Sequence, residues 1–262
     1  MSNNLGAAVR VIVTGILIVW AGTGIAQAQW DPYPWKNMPR KADGTVDLTA
    51  PARRTADGKP DLSGFWMPRE SVKYLLNLAS DMKPADIPFQ PWAAELHRQR
   101  VASNSKVNPD AHCLPLGLMQ LHTHGQPRKM IQTPGVIVII YEANAGIRQI
   151  FTDGRPQPKD VEPWWFGYST GKWDGDTLVV ETTNLRDLGW LDVEGSPITE
   201  TGKILERFRR VDYGHLEIEV TIDDPKAYTK PWTVTVHQRI MLDTDLIEFI
   251  CQENNKDPQH LR

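Results

Sequence analysis

Residues 168–182 read Tyr168-Ser-Thr-Gly-Lys-Trp-Asp-Gly-Asp-Thr-Leu-Val-Val-Glu-Thr182 and carry the clearest structural signal in the chain. A β-prone run with Tyr168 and Trp173 meets the turn sequence Asp174-Gly-Asp176, and a second β-prone run continues to Thr183. An Asp-Gly turn between two such runs is typical of a β-hairpin. We therefore expect two antiparallel strands here.

The same pattern occurs in three more places, around turns at Asn144-Ala-Gly146, Asp212-Tyr-Gly214 and Asp243-Thr-Asp245. The flanking runs are 136–140 with 147–152, 204–211 with 216–222, and 232–242 with 246–252. Four successive hairpins predict a mainly β fold of about eight antiparallel strands. An up-and-down antiparallel β-barrel is favoured, with a β-sandwich as the alternative.

Composition limits the classes of partner. The chain has 262 residues, 40% of them hydrophobic, which is enough for one sizeable β domain. Its net charge of −3 and pI of about 6.2 provide no basic field, so we expect no nucleic-acid partner and no anionic membrane surface. No nucleotide or flavin fingerprint occurs, and we expect no cofactor. Ten tryptophans would suit an aromatic ligand, although they also fill β cores.

The first 28 residues have the pattern of a signal peptide. A basic residue, Arg10, precedes the uncharged apolar run 11–25, and Ala26-Gln-Ala28 has the small-x-small pattern of a cleavage site. We expect cleavage after Ala28, a periplasmic or secreted protein, and no membrane span in the mature chain. An uncleaved N-terminal anchor is the alternative.

The rest of the chain divides into three regions by composition. Residues 29–68 are rich in Pro, Gly and Asp, which predicts an extended segment. Residues 69–110 contain two apolar patterns of near-helical spacing, broken by prolines, and predict a short helical insertion. Residues 111–262 hold the hairpins and form the predicted barrel domain.

The chain has two cysteines, Cys113 and Cys251, and both belong to the part expected to be exported. Exported cysteines are usually paired, so we expect a disulfide between them. Two buried free thiols are the alternative.

The most suggestive polar cluster follows the strand predicted at 147–152. A carboxylate, a guanidinium and two aromatic faces there would make a small-ligand mouth. We expect seven residues to gather at one mouth of the barrel: Arg148, Asp153, Arg155, Trp164, Trp165, Tyr168 and His237. The alternative for Asp153 and Arg155 is a turn held by an ion pair, and Arg148 could instead pair with a carboxylate on another strand.

Two other motifs are weaker, and we assign no catalytic residue. The string from Gly167 to Gly171 matches the G-x-S-x-G of hydrolases, but Ser169 is followed by a second strand instead of the helix that a nucleophile elbow requires. His122 and His124 would share one face of a strand, but no third ligand follows at a recognisable spacing. We therefore predict no metal site.

Several motifs together resemble a family of exported bacterial proteins that mostly lack an assigned function. They are Pro60-Asp-Leu-Ser-Gly-Phe-Trp66, Cys113-Leu-Pro115, Gln132-Thr-Pro-Gly135, Arg148-Gln-Ile-Phe-Thr-Asp-Gly-Arg155, the stretch 171–182, Glu206-Arg-Phe-Arg-Arg210 and Thr221-Ile-Asp-Asp-Pro-Lys-Ala-Tyr-Thr-Lys-Pro-Trp232. The Gly-x-Trp entry before successive hairpins is more loosely similar to lipocalin-like (calycin) barrels. That resemblance implies binding of small apolar ligands or, in a minority, hydration, cyclisation or isomerisation.

The first hypothesis is therefore an exported lipocalin-like protein that binds a small hydrophobic or aromatic molecule. An enzyme that uses the cavity as a cofactor-independent lyase, hydratase or isomerase is the second, and a structural module of the cell envelope is the third. Paired titratable groups at the cavity floor would favour the enzyme, and a filled barrel would favour the structural module.

Overall fold

The computed structural model describes residues 38–242 and 244–253, so the predicted signal peptide lies outside the described residues. In this part of the chain, nine strands form one closed barrel in sequence order. They are β1 (Gly64–Pro68), β2 (Arg128–Thr133), β3 (Val136–Tyr141), β4 (Ile147–Phe151), β5 (Tyr168–Asp174), β6 (Thr177–Thr183), β7 (Lys203–Arg210), β8 (His215–Asp223) and β9 (Trp232–Ile240).

The helices of the described chain lie between β1 and β2. They are α1 (Ser71–Leu76), α2 (Pro91–Ala102) and α3 (Leu118–Thr123). Proline at the first position of α2 favours a helix start, because its fixed φ suits the helix and its missing N–H would have no partner there. Short 3₁₀ turns occupy Pro84–Asp86, Pro109–His112 and Ala143–Ala145. A helical insertion was predicted in this part of the chain, and α1 and α2 lie within it.

Three of the four predicted hairpins are confirmed, as β3 with β4, β5 with β6, and β7 with β8. In the β5–β6 hairpin, Asp174 pairs with Thr177, and Gly175 takes a positive φ of 59° at the turn. Glycine adopts a positive φ with the least strain because it has no Cβ, and this conformation suits a two-residue turn between twisted strands. The Asp-Gly signal therefore located this hairpin correctly.

The fourth predicted hairpin is wrong. β9 forms as expected, but residues 246–252 contain no strand. Both edges of β9 are already occupied, one by β8 and the other by β1, where Trp66 pairs with Ile240. The segment after β9 therefore has no strand edge to pair with, and β1 closes the barrel in its place.

The prediction of a wholly antiparallel barrel is also wrong, because β4 and β5 are parallel. A ring with an odd number of strands cannot alternate direction throughout, so nine strands require a parallel neighbour. The chain from the end of β4 must then return along the barrel to start β5 in the same direction. Residues 152–167 make that return.

Alternating side chains fill the barrel. On β8, Leu216, Ile218, Val220 and Ile222 are all fully buried. The inward-facing side chains of the strands pack against one another, with Trp66 and Phe208 among the largest that are fully buried. The last turn of α3 contacts inward-facing side chains of β3, β4 and β7 through His122. This helix therefore covers one end of the packed interior.

The predicted disulfide is confirmed, since Cys113 is bonded to Cys251. Their Cα atoms are 5.7 Å apart, and 138 residues separate them in sequence. The bond ties the segment that leads into α3 to the chain that follows β9.

We expect the unreduced, denatured protein to accept no thiol-alkylating groups and the reduced protein to accept two, as measured by intact mass. The Cys113→Ser, Cys251→Ser double variant should be less stable, because a bond closing so long a loop lowers the entropy of the unfolded chain. The loop-entropy model gives an upper figure of roughly 5 kcal/mol for this loop. Two alkyl groups on the unreduced protein would contradict the prediction.

Candidate functional site

A groove of about 500 Å³ opens at the junction of β4 and β5, and we call it the seam groove. The two strands pair only at Ile150 with Ser169 and at Phe151 with Thr170. The first residues of β4 precede this short paired region in sequence. They face residues 163–168 of the returning chain across the groove. The site therefore lies in the barrel wall, where backbone pairing is shortest.

Aromatic side chains form most of the groove surface. The lining includes Phe151, Trp164, Trp165, Phe166 and Tyr168. The rings of Phe151 and Tyr168 stack with their centroids 5.1 Å apart, and the ring centroids of Trp164 and Tyr168 are 5.2 Å apart. Gly167 lines the groove with a positive φ, and a Cβ there would lie 2.6 Å from the Thr183 carbonyl oxygen. The groove is thus an apolar slot with several ring faces.

The polar floor of the seam groove consists of Arg148 and Ser169, both almost fully buried. Arg148 Nε donates to Ser169 Oγ at 3.1 Å, and Nη2 donates to Thr182 Oγ1 at 2.8 Å. Nη1 donates to Glu206 Oε1 at 3.0 Å, and Nη2 also donates to the second oxygen of Glu206. One guanidinium therefore connects β4 with β5, β6 and β7.

His122 lies beside this ion pair. Its Nε2 is 2.8 Å from Glu206 Oε1 and 2.8 Å from Arg148 Nη1, while its Nδ1 is 3.4 Å from the hydroxyl oxygen of Tyr141. A single ring nitrogen cannot both donate to Glu206 and accept from Arg148. Because a carboxylate only accepts, we assign the proton to Nε2, which donates to Glu206, and Nδ1 accepts from Tyr141.

The charges of this cluster follow from burial and contact. Burial lowers the pKa of His122 to about 4, so the imidazole is neutral at pH 7. Burial acts to raise the pKa of Glu206, but the Arg148 charge and the His122 contact outweigh it and hold that pKa well below its usual range. Burial raises the pKa of Tyr141 to about 12. At neutral pH the cluster is therefore an ion pair beside a neutral histidine and a protonated tyrosine.

A second buried guanidinium holds the end of α3. Arg128 donates through Nη1 to the His122 carbonyl oxygen and through Nη2 to the His124 carbonyl at 3.3 Å. Gln238 also donates to the His122 carbonyl, at 3.1 Å. The last carbonyls of a helix lack partners within the helix and carry partial negative charge, so these donors fix the turn that presents His122.

The structure brings four of the seven predicted site residues together in the seam groove, namely Arg148, Trp164, Trp165 and Tyr168. Asp153 and Arg155 do not line it. They form an ion pair with each other, 2.6 Å between Arg155 Nη2 and Asp153 Oδ2, and the guanidinium lies 3.9 Å from the centre of the Phe151 ring. His237 lies on the outer face of β9, with Nδ1 3.8 Å from Glu70 Oε2, and lines a different depression.

Parallel pairing explains this distribution. The returning chain delivers Trp164 and Trp165 to the start of β4, where Arg148 lies, whereas Asp153 and Arg155 follow the end of β4. His237 faces outward because Val234 and Val236 take the buried positions of its strand. Arg148 also pairs with a carboxylate on another strand, the alternative considered from sequence, and that carboxylate is Glu206.

Sequence reasoning missed His122, Glu206, Arg128 and Gln238 as members of one cluster. A signal was present for Glu206, since it shares the inward parity of Ile204 and Phe208 on β7. The sequence contained no signal that His122 would join the cluster, because His122 and His124 were expected to lie on one face of a strand. That expectation is wrong: His122 lies in the last turn of α3, and His124 follows the helix.

The two remaining motifs also have defined positions. Ser169 lies within β5, not at a turn between a strand and a helix, so the G-x-S-x-G string forms no nucleophile elbow. Within residues 38–242 and 244–253, no group of three or more His, Cys, Asp or Glu side chains is arranged to hold a metal ion. In the same residues, no helix has the length and apolar character needed to cross a membrane.

We expect acid to destabilise the protein through His122. Its folded pKa is below the unfolded value near 6.5, so the native state binds fewer protons and stability falls as pH drops from about 6.5 to about 4. The loss attributable to this group is at most about 3 kcal/mol. Glu206, whose folded pKa is also depressed, adds a further loss below about pH 4.5.

The test is urea unfolding at several pH values between 7 and 4 for the wild type, His122→Gln and the exposed control His112→Gln. The His122 variant should show a flatter decline, whatever its absolute stability at pH 7, while the His112 variant keeps the wild-type slope. An unchanged slope in His122→Gln would show that this imidazole does not titrate as described.

No protein-family model matches the chain, and no curated protein matches its sequence.

Proposed function

We propose that this protein is an exported binding protein for a small hydrophobic or aromatic molecule, which lies in the seam groove. The observation that carries the proposal is the groove itself, an aromatic slot of about 500 Å³ with a polar floor. Small-ligand sites are typically concave and mostly apolar, with a few polar groups that orient the ligand. Flat rings such as Trp164 and Tyr168 would stack on an aromatic ligand.

The location differs from that of a lipocalin ligand. A lipocalin-like barrel holds its ligand in a central cavity, whereas inward-facing side chains fill the interior here and α3 covers one end of it. The proposed ligand therefore enters from the side, between β4 and the returning chain. Export is part of the proposal and is supported by the Cys113–Cys251 disulfide, because such bonds persist in oxidising compartments.

A second candidate function is a cofactor-independent lyase, hydratase or isomerase. The neutral His122 in contact with the ionised Glu206 favours it, since these paired titratable groups lie directly behind the groove floor. The reactions that such a pair could catalyse as acid and base, namely hydration and those eliminations and isomerisations that proceed by proton transfer, move a proton to or from carbon. The enzyme should therefore introduce deuterium into a retained molecule in D₂O, which mass spectrometry detects, and a pure binding protein should not.

Identification of the natural ligand comes first. Protein purified from its native host and denatured for mass spectrometry should release a small apolar or aromatic molecule at a ratio near one per chain. If no such molecule is released and no aromatic probe binds, the result would favour the third hypothesis, a structural module of the cell envelope. The packed barrel interior is compatible with that hypothesis as well.

We expect Trp164→Ala to weaken binding of 2-naphthamide, a neutral aromatic probe, by at least tenfold, which is about 1.4 kcal/mol. The matched control is Trp92→Ala. Both side chains are similarly exposed, at 42% for Trp164 and 46% for Trp92, but Trp92 lies on α2 and does not line the groove. Isothermal titration calorimetry measures both affinities, and equal losses in the two variants would contradict the proposed location.

A further inference from the structure

A second apolar groove lies next to the seam groove and shares Trp165 with it. It has a volume of about 480 Å³, runs beside α2, and includes Leu96, Val107, Leu114, Leu188 and Trp190 in its lining. Trp165 lines both grooves and is their common wall. We call this second groove the helix groove. The two together form a longer apolar track than a single ring would fill.

Exposed apolar side chains are concentrated along this track. In the part of the chain that the structure describes, fourteen large hydrophobic side chains are exposed. Five of them line the two grooves: Val107, Leu114, Ile147, Trp164 and Leu188. Single exposed apolar residues are ordinary, but a contiguous set marks a binding surface.

The charged groups on the track are all of one sign. Arg100 lines the helix groove, Arg148 and Arg186 line the seam groove, and no aspartate or glutamate lines either of them. The Arg148 charge is balanced by Glu206 behind the groove floor, which leaves Arg100 and Arg186 as the other cations of the lining. An apolar track with guanidinium groups suits a ligand that has an apolar body and a negative charge.

Two of the three arginines are held by other contacts: Arg148 by its hydrogen bonds, and Arg100 by one hydrogen bond and by stacking on a tryptophan ring. Arg148 makes hydrogen bonds to Ser169, Thr182 and both oxygens of Glu206. Arg100 donates to the Gly195 carbonyl at 2.9 Å and stacks at 4.3 Å on the Trp190 ring, and burial lowers its pKa to about 10. Neither side chain is the natural partner for a ligand charge.

Arg186 is different. Its side chain makes one long hydrogen bond, 3.4 Å from Nη2 to the Pro163 carbonyl oxygen. Its backbone N–H donates to the Trp164 carbonyl at 2.9 Å, and its guanidinium carbon lies 5.3 Å from the centre of the Trp165 ring. The guanidinium therefore lies where the two grooves meet, with donors available.

We infer that the ligand is an organic acid, whose carboxylate binds Arg186 and whose apolar body lies along the seam and helix grooves. The inference rests on the proposed function and specifies the class of its ligand. A guanidinium binds a carboxylate through two parallel hydrogen bonds, and partial exclusion of water in an aromatic groove strengthens that contact.

The test compares 2-naphthoate with 2-naphthamide, which have the same ring system and differ in charge. Isothermal titration calorimetry on the purified, disulfide-bonded protein should give at least tenfold tighter binding of the naphthoate. In Arg186→Gln this preference should disappear while the affinity for 2-naphthamide is retained. Arg186→Lys keeps the charge but not the paired hydrogen bonds, so it should retain part of the preference.

Arg239→Gln is the control, since Arg239 is an exposed arginine on the outer face of β9 and lines neither groove. It should leave both affinities unchanged. The inference is overturned if the two probes bind equally, or if Arg186→Gln keeps the preference while its thermal unfolding matches that of the wild type. If either result is obtained, the proposed function is still supported as long as 2-naphthamide binds and its binding depends on Trp164. Failure of both probes to bind overturns the two proposals together.

A longer acid tests the use of the helix groove. Dodecanoate should bind more tightly than hexanoate, and Leu188→Ser should reduce the difference, because Leu188 lines the helix groove beyond Trp165. Equal affinities for the two acids would restrict the ligand to the seam groove and overturn this part of the inference.

Discussion

Strand direction in a closed ring is the constraint on which the rest of this structure depends. In the described chain the ring has nine strands, so at least one pair of neighbours must be parallel, and that pair is β4 with β5. A parallel pair needs a return connection, and here the connection carries three of the five aromatic residues that line the seam groove, Trp164, Trp165 and Phe166. The candidate site thus follows from the number of strands as much as from its side chains.

The buried cluster compensates for the short pairing at this junction. β4 and β5 share two residue pairs, whereas β5 and β6 share seven. Arg148 replaces some of the missing backbone bonds, because its guanidinium reaches Ser169 on β5, Thr182 on β6 and Glu206 on β7. A buried ion pair loses hydration and is stabilising only when its remaining hydrogen-bonding groups are satisfied, as they largely are here. His122 supplies one of these bonds from the end of α3.

The sequence predicted those features that depend on neighbours along the chain. Asp174-Gly-Asp176, for example, identified one hairpin. The disulfide is an exception, because it joins residues 138 apart and was expected on the ground that the chain has two cysteines. Other contacts between distant residues were not predictable. The pairing of β1 with β9 has no local signature, and neither does the contact between His122 and Glu206, which are 84 residues apart. Arg148, Trp164, Trp165 and Tyr168 do line one groove, whereas Asp153 and Arg155 pair with each other outside it. Their separation follows from the parallel pairing of β4 with β5, where a hairpin meander was expected.

The aromatic residues of the seam groove also protect an unpaired strand edge. Where β4 and β5 separate, backbone groups would be open to another chain, which is a hazard of any sheet edge. The returning chain flanks this edge across the seam groove and is held by its own bonds, including Trp164 N–H to the Asn184 carbonyl at 2.9 Å. Those backbone bonds survive truncation of the Trp164 side chain, and the indole is 42% exposed. Loss of the Trp164 ring should therefore weaken ligand binding more than it lowers the stability of the fold. The ring of Phe151 is stacked and less exposed, so it contributes both to the groove surface and to the stability of the fold.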